Sequence, residues 1–526
     1  MPKLTIDGRE IEVPDGTNLI QAAERAGIEI PHYCYHPGLS IPGNCRMCLV
    51  EVEKAPKLQV GCSTRVAEGM VIHTNSPRTK TAQKAVLEFL LINHPIDCPV
   101  CDQAGECKLQ DYYMDYDAQP SRFPLGRKVR KGKAIDAGSG VMLDQERCVL
   151  CARCTRFFDE VTHTSELAIF ERGDHCKIDT WPGRPINNKY AGNVIDICPV
   201  GALTEKEFRF RMRVWYLHRT ASVCAGCERG CSIDIHHQRG RIYRYKPREN
   251  PAVNSYWMCD EGRHSFAGLQ NETRLVTALY QDGDRLVAES WPEALRRAST
   301  KIMALGQQHG ANAIGAVIGA QSTNEEAFAL KCLIKDTIGS DQIATLSWSS
   351  PGASPDDNLL IRANKNPNSR GLAALGLPAD GLDGLASGVA AGTLKMLIAL
   401  RSDLVRALGE KTFVERFGAL DYLLVVDTDA NQTCQMANQV LPIGAYPEID
   451  GSFTNFKGRV QRIRAAFAPP GEALPAIEAI ARLGHALDGV QRSVMAEQIF
   501  GELAAAEPAF QGLSLSGLGP HGADLR

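Results

Sequence analysis

Apolar and polar positions alternate through KLTIDGREIEV (residues 3–13) and break at Asp7–Gly8. That pattern predicts two short strands joined by a tight turn. The period then changes. TNLIQAAERAG (17–27) spaces its apolar residues for a helix, with Thr17 as N-cap and Gly27 as the stop. A loop rich in Pro, Gly and Cys follows, and MCLVEVE (47–53) returns to strand alternation. Together these elements predict a small α+β module of about 75–80 residues. RTKTAQKAVLEFLLIN (78–93) predicts an amphipathic helix. SRFPLGRKVRKGKAIDAG (121–138) is basic, carries Pro and Gly, and reads as a solvated connector.

Beyond about residue 270 Ala, Leu and Gly dominate. The helical pattern WPEALRRASTKIMALGQQHG (291–310) is followed by apolar runs AIGAVIG (313–319), KMLIAL (395–400) and DYLLVVD (421–427). Short continuous apolar runs alternating with helices predict an α/β domain with a mostly parallel sheet.

The chain has 526 residues, too many for one core, so several domains are expected. Hydrophobic residues make up 44%, charged residues 23%, and the formal net charge is -3, which gives no global field for nucleic acid or an anionic membrane. The most apolar stretch, ASGVAAGTLKMLIAL (386–400), is short and carries Lys395, so no membrane span is expected. The start of the chain has no basic and apolar leader pattern, so no secretory signal is expected.

Cysteine changes the picture. Of 18 cysteines, sixteen precede residue 260. In a long chain without a secretory leader, tight Cys-x-x-Cys groupings favour metal chemistry over disulfides. The first set is Cys34, Cys45, Cys48 and Cys62, spaced C-x10-C-x2-C-x13-C, near the plant-type ferredoxin pattern, and reads as a [2Fe–2S] site. The second is His94, Cys98, Cys101 and Cys107. Three cysteines fill three corners of a cubane, and His94, one helical turn before Cys98, supplies the fourth ligand. A neutral imidazole in place of a thiolate favours the reduced state. The third set is Cys148, Cys151, Cys154 and the remote Cys198, which is followed by Pro199, close to the bacterial [4Fe–4S] signature. The fourth is Cys224, Cys227, Cys231 and Cys259, again fitting [4Fe–4S]. Four-thiolate zinc is the competing reading for the first and fourth sets. Cys176, Cys332 and Cys434 stand alone and are read as lone buried thiols. No nucleophile–base arrangement, Walker loop or G-x-G-x-x-G is visible, so no catalytic residue is assigned.

The order of these sets, with CRMCLVEVE, NHPIDCPVCDQAGECKLQD, RCVLCARCTRF and DICPVGAL around them, resembles the large iron–sulfur subunit family of respiratory complex I over residues 1–270. The resemblance implies one [2Fe–2S] and three [4Fe–4S] clusters. The fourth is implied to be an extra cluster of some bacterial members, lying off the main electron path. NEEAFALKCLI, ANQVLPIGAYPEIDGSFTNFKGRVQR and APPGEALPAIEAI are similar to a molybdopterin-oxidoreductase-like domain. Here the chain departs from active enzymes. Only about 255 residues follow the fourth module, and Cys332 falls too early to be a molybdenum ligand. The region where such enzymes carry that ligand reads IATLSWSSPG, offering only Ser347, Ser349 and Ser350. A shortened scaffold without molybdopterin is expected.

The expected fold is therefore multi-domain α+β and α/β. It comprises a ferredoxin-like β-grasp module (1–78), a His/Cys [4Fe–4S] module (79–118) and a [4Fe–4S] ferredoxin-like module (119–214). A fourth [4Fe–4S] module (215–271) and a molybdopterin-oxidoreductase-like α/β scaffold (272–526) complete it. The resemblance implies partners: a flavin- and NADH-binding subunit, a small [2Fe–2S] subunit and other peripheral-arm subunits. Membrane contact would come only through them, at the cytoplasmic face of the inner membrane. The competing functions are electron transfer in a soluble NAD-linked hydrogenase, formate dehydrogenase or bifurcating complex, and a zinc-stapled scaffold.

Overall fold

The computed structural model describes residues 1–526 except Ala118, Pro351 and Asp380 and the side chain of Leu125. The end of the expected second module at Ala118, and Pro351 within IATLSWSSPG, thus lie outside the described residues. The chain divides into two units, Met1–Leu217 and His218–Arg526.

In the first unit, β1 (Lys3–Ile6) and β2 (Arg9–Glu12) pair antiparallel around Asp7 and Gly8, at φ 47° and 82°. Two successive left-handed residues match the twist of the flanking strands. Next, α1 (Leu19–Arg25) begins after Asn18, which replaces Thr17 as the N-cap. The Asn18 side chain accepts the Gln21 amide at 2.9 Å, and the Gln21 side chain accepts the Asn18 amide at 3.2 Å. That reciprocal box needs Gln at the third helical position, which only Asn18 has. Thr17 Oγ1 instead donates to the Pro14 carbonyl at 2.7 Å.

Strands β3 (Leu49–Val52), β4 (Gln59–Val60) and β5 (Met70–His73) complete a sheet in the order β2-β1-β5-β3-β4, with β1 and β5 parallel. Leu19, Ile20, Ala22 and Ala23 of α1 pack with Leu4, Ile6, Val50 and Ile72, all buried. Each buried Leu or Ile contributes about 1.5–3 kcal/mol. One helix across a mixed sheet is the β-grasp layout.

Helix α2 (Pro77–Leu91) buries Thr79, Gln83 and Leu87, while Phe89 is 75% exposed. Its inner stripe is thus mixed rather than apolar, and Gln83 Nε2 donates to the Leu49 carbonyl at 3.3 Å. α3 (Lys108–Tyr112) follows. The basic stretch after it is not simply solvated. Lys128 Nζ donates to the carbonyl of Leu91 (3.0 Å), which has no intrahelical partner at the end of α2, and to that of His94 (2.6 Å) just beyond it.

The rest of the unit comprises β6 (Ile135–Gly138), β7 (Val141–Leu143), α4 (Arg153–Glu160), β8 (Leu167–Phe170), β9 (Lys177–Thr180), α5 (Gly192–Asp196) and β10 (Leu203–Glu205). β10, β7 and β6 form one antiparallel sheet, β8 and β9 a hairpin, and Phe157 and Phe158 of α4 are fully buried.

The second unit opens with antiparallel β11 (His218–Val223), β12 (Ser232–Gln238) and β13 (Arg241–Pro247), then α6 (Asp260–His264). Its larger sheet uses β14 (Ala278–Asp282), β15 (Arg285–Glu289), β16 (Ile314–Gly319), β17 (Ile343–Leu346), β18 (Met396–Leu400), β19 (Tyr422–Asp427) and β20 (Gln439–Pro442). The order is β15-β14-β20-β19-β18-β16-β17, parallel from β20 to β17. Strands β16, β18 and β19 are buried at every position, which is why they read as unbroken apolar runs. α7 (Trp291–His309) and α8 (Asn324–Cys332) pack on the sheet, and β21 (Gly451–Thr454) with β22 (Arg459–Ile463) forms a further antiparallel pair.

Candidate metal centres

The first set closes around loops of the β-grasp module. Cys34 and Cys45 lie in the loop after α1, Cys48 just before β3 and Cys62 just after β4. All four are buried or half-buried. Their thiols hydrogen-bond to one another, Cys34 to Cys45 and Cys62, and Cys48 to Cys62, which holds Cys34 and Cys48 low while Cys45 and Cys62 stay high. Gly61 donates its amide to the Cys48 carbonyl at 2.8 Å, and a Cβ there would meet that oxygen at 2.9 Å.

In the second set, His94, Cys98, Cys101 and Cys107 line one hollow of about 280 Å³ with Asp97, Arg147 and Gly201. Cys98 is exposed, Cys101 and Cys107 are buried. Cys107 is the residue before α3, so its sulfur faces the free amides of Leu109 and Gln110 at the helix start. Burial lowers the His94 imidazole to about 4, with the cations Lys128 and Arg147 acting in the same sense, so the ring is neutral at neutral pH, as a ligand must be. A Cβ on Gly201 would stand 2.3 Å from Cys101 Sγ, so only glycine lets this backbone pass the sulfur.

In the third set, Cys148, Cys151, Cys154 and Cys198 line a hollow of about 360 Å³ with otherwise mainly apolar neighbours, among them Leu143, Ile178 and Leu203. Leu150 and Ala152 adopt φ of 52° and 57°, a left-handed path that wraps amides inward, and the Leu150 amide donates to Cys148 Sγ at 3.3 Å. Cys198 faces the amides of Val200, Ala202 and Leu203. Burial pushes the Cys148 and Cys151 thiols up to about 12 and about 11.

In the fourth set, Cys224, Cys227, Cys231 and Cys259, all buried, line a hollow of about 360 Å³. The Gly226 amide donates to Cys224 Sγ and the Gly262 amide to Cys259 Sγ, each at 3.4 Å. Leu360, Ile361 and Lys365 close this hollow from far along the chain. They are fixed by Arg229, which donates to the Leu359 and Leu360 carbonyls (2.8 and 3.2 Å), and by Arg362 Nε on Glu228 at 3.0 Å.

Struts join the three sets of the first unit. Arg156 Nη2 reaches the carbonyls of Cys34 (2.6 Å) and Cys151 (3.4 Å). Arg153 donates to Ile197, the neighbour of Cys198, at 3.0 Å and to the Tyr35 carbonyl. Tyr33 stacks edge-on against Tyr112 of α3, centroids 5.4 Å apart. The Lys108 amide, next to Cys107, donates to Pro199, next to Cys198, at 3.0 Å. These arginines sit inside the cysteine motif, but their partners Tyr35 and Cys34 lie more than a hundred positions away.

Iron–sulfur clusters fit these residues. Thiolates with one imidazole are their donor set, backbone amides aim at sulfur, and glycine stands where a Cβ would intrude. Ser347, Ser349 and Ser350 each bond a different partner. Ser347 Oγ bonds Ser369 Oγ (3.1 Å), Ser349 Oγ accepts the Lys365 amide (2.9 Å), and Ser350 Oγ accepts from Arg406 (3.2 Å). Cys176 and Cys332 are half-buried and Cys434 is buried. No helix among the described residues is long and apolar enough to cross a membrane.

Five family models match in tandem. They are a 2Fe-2S iron-sulfur cluster binding domain (2–77), an NADH-ubiquinone oxidoreductase-G iron-sulfur binding region (83–122) and an NADH-quinone oxidoreductase subunit 3 ferredoxin-like domain (138–204). A molybdopterin oxidoreductase Fe4S4 domain (217–271) and a molybdopterin oxidoreductase domain (363–486) follow. Among curated proteins, the G-type subunit of NADH-quinone oxidoreductase from Rickettsia bellii is 41% identical over 335 residues, 64% of this chain and 48% of the relative. Its counterpart in Streptomyces coelicolor is 44% identical over 329 residues, 62% of this chain and 38% of the relative. The matched stretch thus spans less than half of either relative. A solved chain of an NAD+-reducing [NiFe]-hydrogenase is 28% identical, covering 40% of this chain and 91% of its own, at a TM-score of 0.36.

Proposed function

We propose that this chain, homologous over about 64% of its length to a G-type subunit of NADH-quinone oxidoreductase, is an electron-transfer subunit of a complex I-type NADH:quinone oxidoreductase. The observation that carries the reading is the set of four Cys or Cys/His rings, each with backbone amides or glycines fitted to its sulfurs. The proposed ligands are Cys34, Cys45, Cys48 and Cys62 for a [2Fe–2S] cluster. For three [4Fe–4S] clusters they are His94 with Cys98, Cys101 and Cys107; Cys148, Cys151, Cys154 and Cys198; and Cys224, Cys227, Cys231 and Cys259. The proposed segments are 1–78, 79–118, 119–214, 215–271 and 272–526.

A bound cluster supplies a reversible one-electron couple whose potential answers to ligands, hydrogen bonds and burial. The protein does the rest. Amides of Leu109, Leu150, Val200, Gly226 and Gly262 offset negative charge at the sulfurs. Apolar walls such as Leu143, Ile178 and Leu203 keep water from the third hollow. Arg153 and Arg156 hold the first and third ligand loops together.

The C-terminal unit is proposed as scaffold without molybdopterin. This is supported by the three serines of the SWSS stretch, each hydrogen-bonded within the chain. The proposed partners are a flavin- and NADH-binding subunit, a small [2Fe–2S] subunit and peripheral-arm subunits that bring the chain to the cytoplasmic face of the membrane.

Affinity purification under anaerobic conditions tests this. Iron and sulfide with several low-temperature EPR signals that NADH reduces through a co-purifying flavin chain are expected, with quinone-reductase and membrane subunits. Zinc without iron would overturn electron transfer, and co-purifying hydrogenase subunits would overturn the assignment to a quinone reductase.

A further inference from the structure

We propose that Arg147 sets the charge at the second centre, raising its reduction potential, and that it acts there more than at the third. The inference rests on reading His94, Cys98, Cys101 and Cys107 as a cluster ligand set. In sequence Arg147 adjoins Cys148 of the third set. In space its side chain lines the second hollow and not the third. A Cβ built on Gly201 lies 3.7 Å from Arg147 Cδ and 2.3 Å from Cys101 Sγ, which places the arginine stem beside that sulfur.

The guanidinium is held in place rather than free to swing. Its side chain is 7% exposed, with Nη2 at 3.1 Å from Asp97 Oδ2 and Nε at 3.3 Å from Asp144 Oδ2. Lys133 Nζ braces the same carboxylates, 2.5 Å from Asp97 and 3.7 Å from Asp144, and stands 3.0 Å from Glu146. Arg130 reaches Glu146 at 3.6 Å. Asp97, Asp144 and Glu146 thus face Arg130, Lys133 and Arg147, and the network is balanced only while Arg147 is present.

Reduction adds negative charge to the centre. A fixed cation at its edge, partly shielded from water, stabilises the reduced state, and a fixed anion there opposes it. Deleting the cation leaves the network net negative, and neutralising Asp97 leaves it net positive. Opposite shifts from the two ends of one ion pair are the signature of charge, because loss of packing or of geometry has no reason to change sign.

The test is an EPR-monitored redox titration of the intact, iron-loaded complex carrying Arg147→Gln, Arg147→Lys or Asp97→Asn. Arg147→Gln is expected to lower the midpoint of the second centre, with a smaller shift at the third, and Asp97→Asn to raise it. Arg147→Lys, which keeps the charge, stays near wild type. An unchanged midpoint in iron-bearing variants, or shifts of the same sign, overturns the proposal. If Arg147→Gln does not assemble, the sign found for Asp97→Asn decides. A wild-type chain lacking iron at the second set overturns the functional reading, and this inference with it.

Discussion

Arg156 Nη2 donates to the carbonyl oxygen of Cys34 at 2.6 Å, across 122 positions of chain. The same nitrogen touches the Cys151 carbonyl, Nε bonds the Ala152 carbonyl at 3.0 Å, and Nη1 bonds that of Ser40. One side chain thus fixes the backbone of a ligand from each of two sets. Arg156→Ala is expected to cost about 1.5–3 kcal/mol of stability, the range for charged hydrogen bonds. It should also alter the EPR line shapes of the first and third centres while sparing the second. Unchanged spectra with an unchanged melting temperature would show that the strut is dispensable.

Gly201→Ala puts a methyl 2.3 Å from Cys101 Sγ and 3.1 Å from Gln103 Cβ. The expected outcome is loss of one centre's iron and of the second EPR signal, with the other signals kept. Gly126→Ala, with nothing within 4 Å of its Cβ, is the matched control and should retain full iron.

His94→Cys and His94→Ala separate ligation from packing. A thiolate in place of the neutral ring adds negative charge, so His94→Cys should keep the second centre and lower its midpoint. His94→Ala removes the ligand and should lose that centre. Equal iron and equal midpoints in wild type and His94→Ala would assign the fourth ligand elsewhere.

Glu325 predicts a pH dependence in the C-terminal unit. It is fully buried at the start of α8, accepting from the Ser452 amide and hydroxyl at 2.8 and 2.7 Å. Burial nevertheless raises its carboxyl from 4.5 to about 7. The folded state therefore holds a proton that the unfolded chain has released. Its contribution is full below about pH 4.5 and is lost as pH rises toward about 7, on the order of 3 kcal/mol in all. Asp427, raised by burial to about 6, acts in the same sense. Calorimetry from about pH 5 to about pH 8 should show a smaller decline in melting temperature for Glu325→Gln than for wild type. Parallel declines would contradict the buried-proton account.

Much of this was legible in the sequence, for local reasons. Cys-x-x-Cys spacings force sulfurs together whatever surrounds them, and strands buried on both faces must be apolar throughout, as β16, β18 and β19 are. Asn18 could have been chosen over Thr17 from Gln21 alone, since a capping box fixes that three-residue interval. The burial of Thr79 and Gln83 along α2 could not, because it depends on the Leu49 carbonyl that meets Gln83. The arginine struts were visible as letters without a purpose. Their partners are carbonyls, which carry no signature in a sequence, and the CPVG glycine needed Cys101 beside it before its identity mattered.

The loop that closes the fourth hollow has a consequence for the order of biogenesis. The first three sets are complete within residues 1–217, one self-contained unit. The fourth has its last cysteine at 259 but is sealed by Leu360, Ile361 and Lys365. At a ribosomal pace of roughly 5–20 residues per second, that seal arrives about 5–20 s after the last thiol. Through that interval the four sulfurs stand on a nascent chain without the residues that close over them, as those of the second set do until Gly201 emerges. A ribosome stall between those positions would leave the first three sets with all their ligand residues made and the fourth without its closing loop.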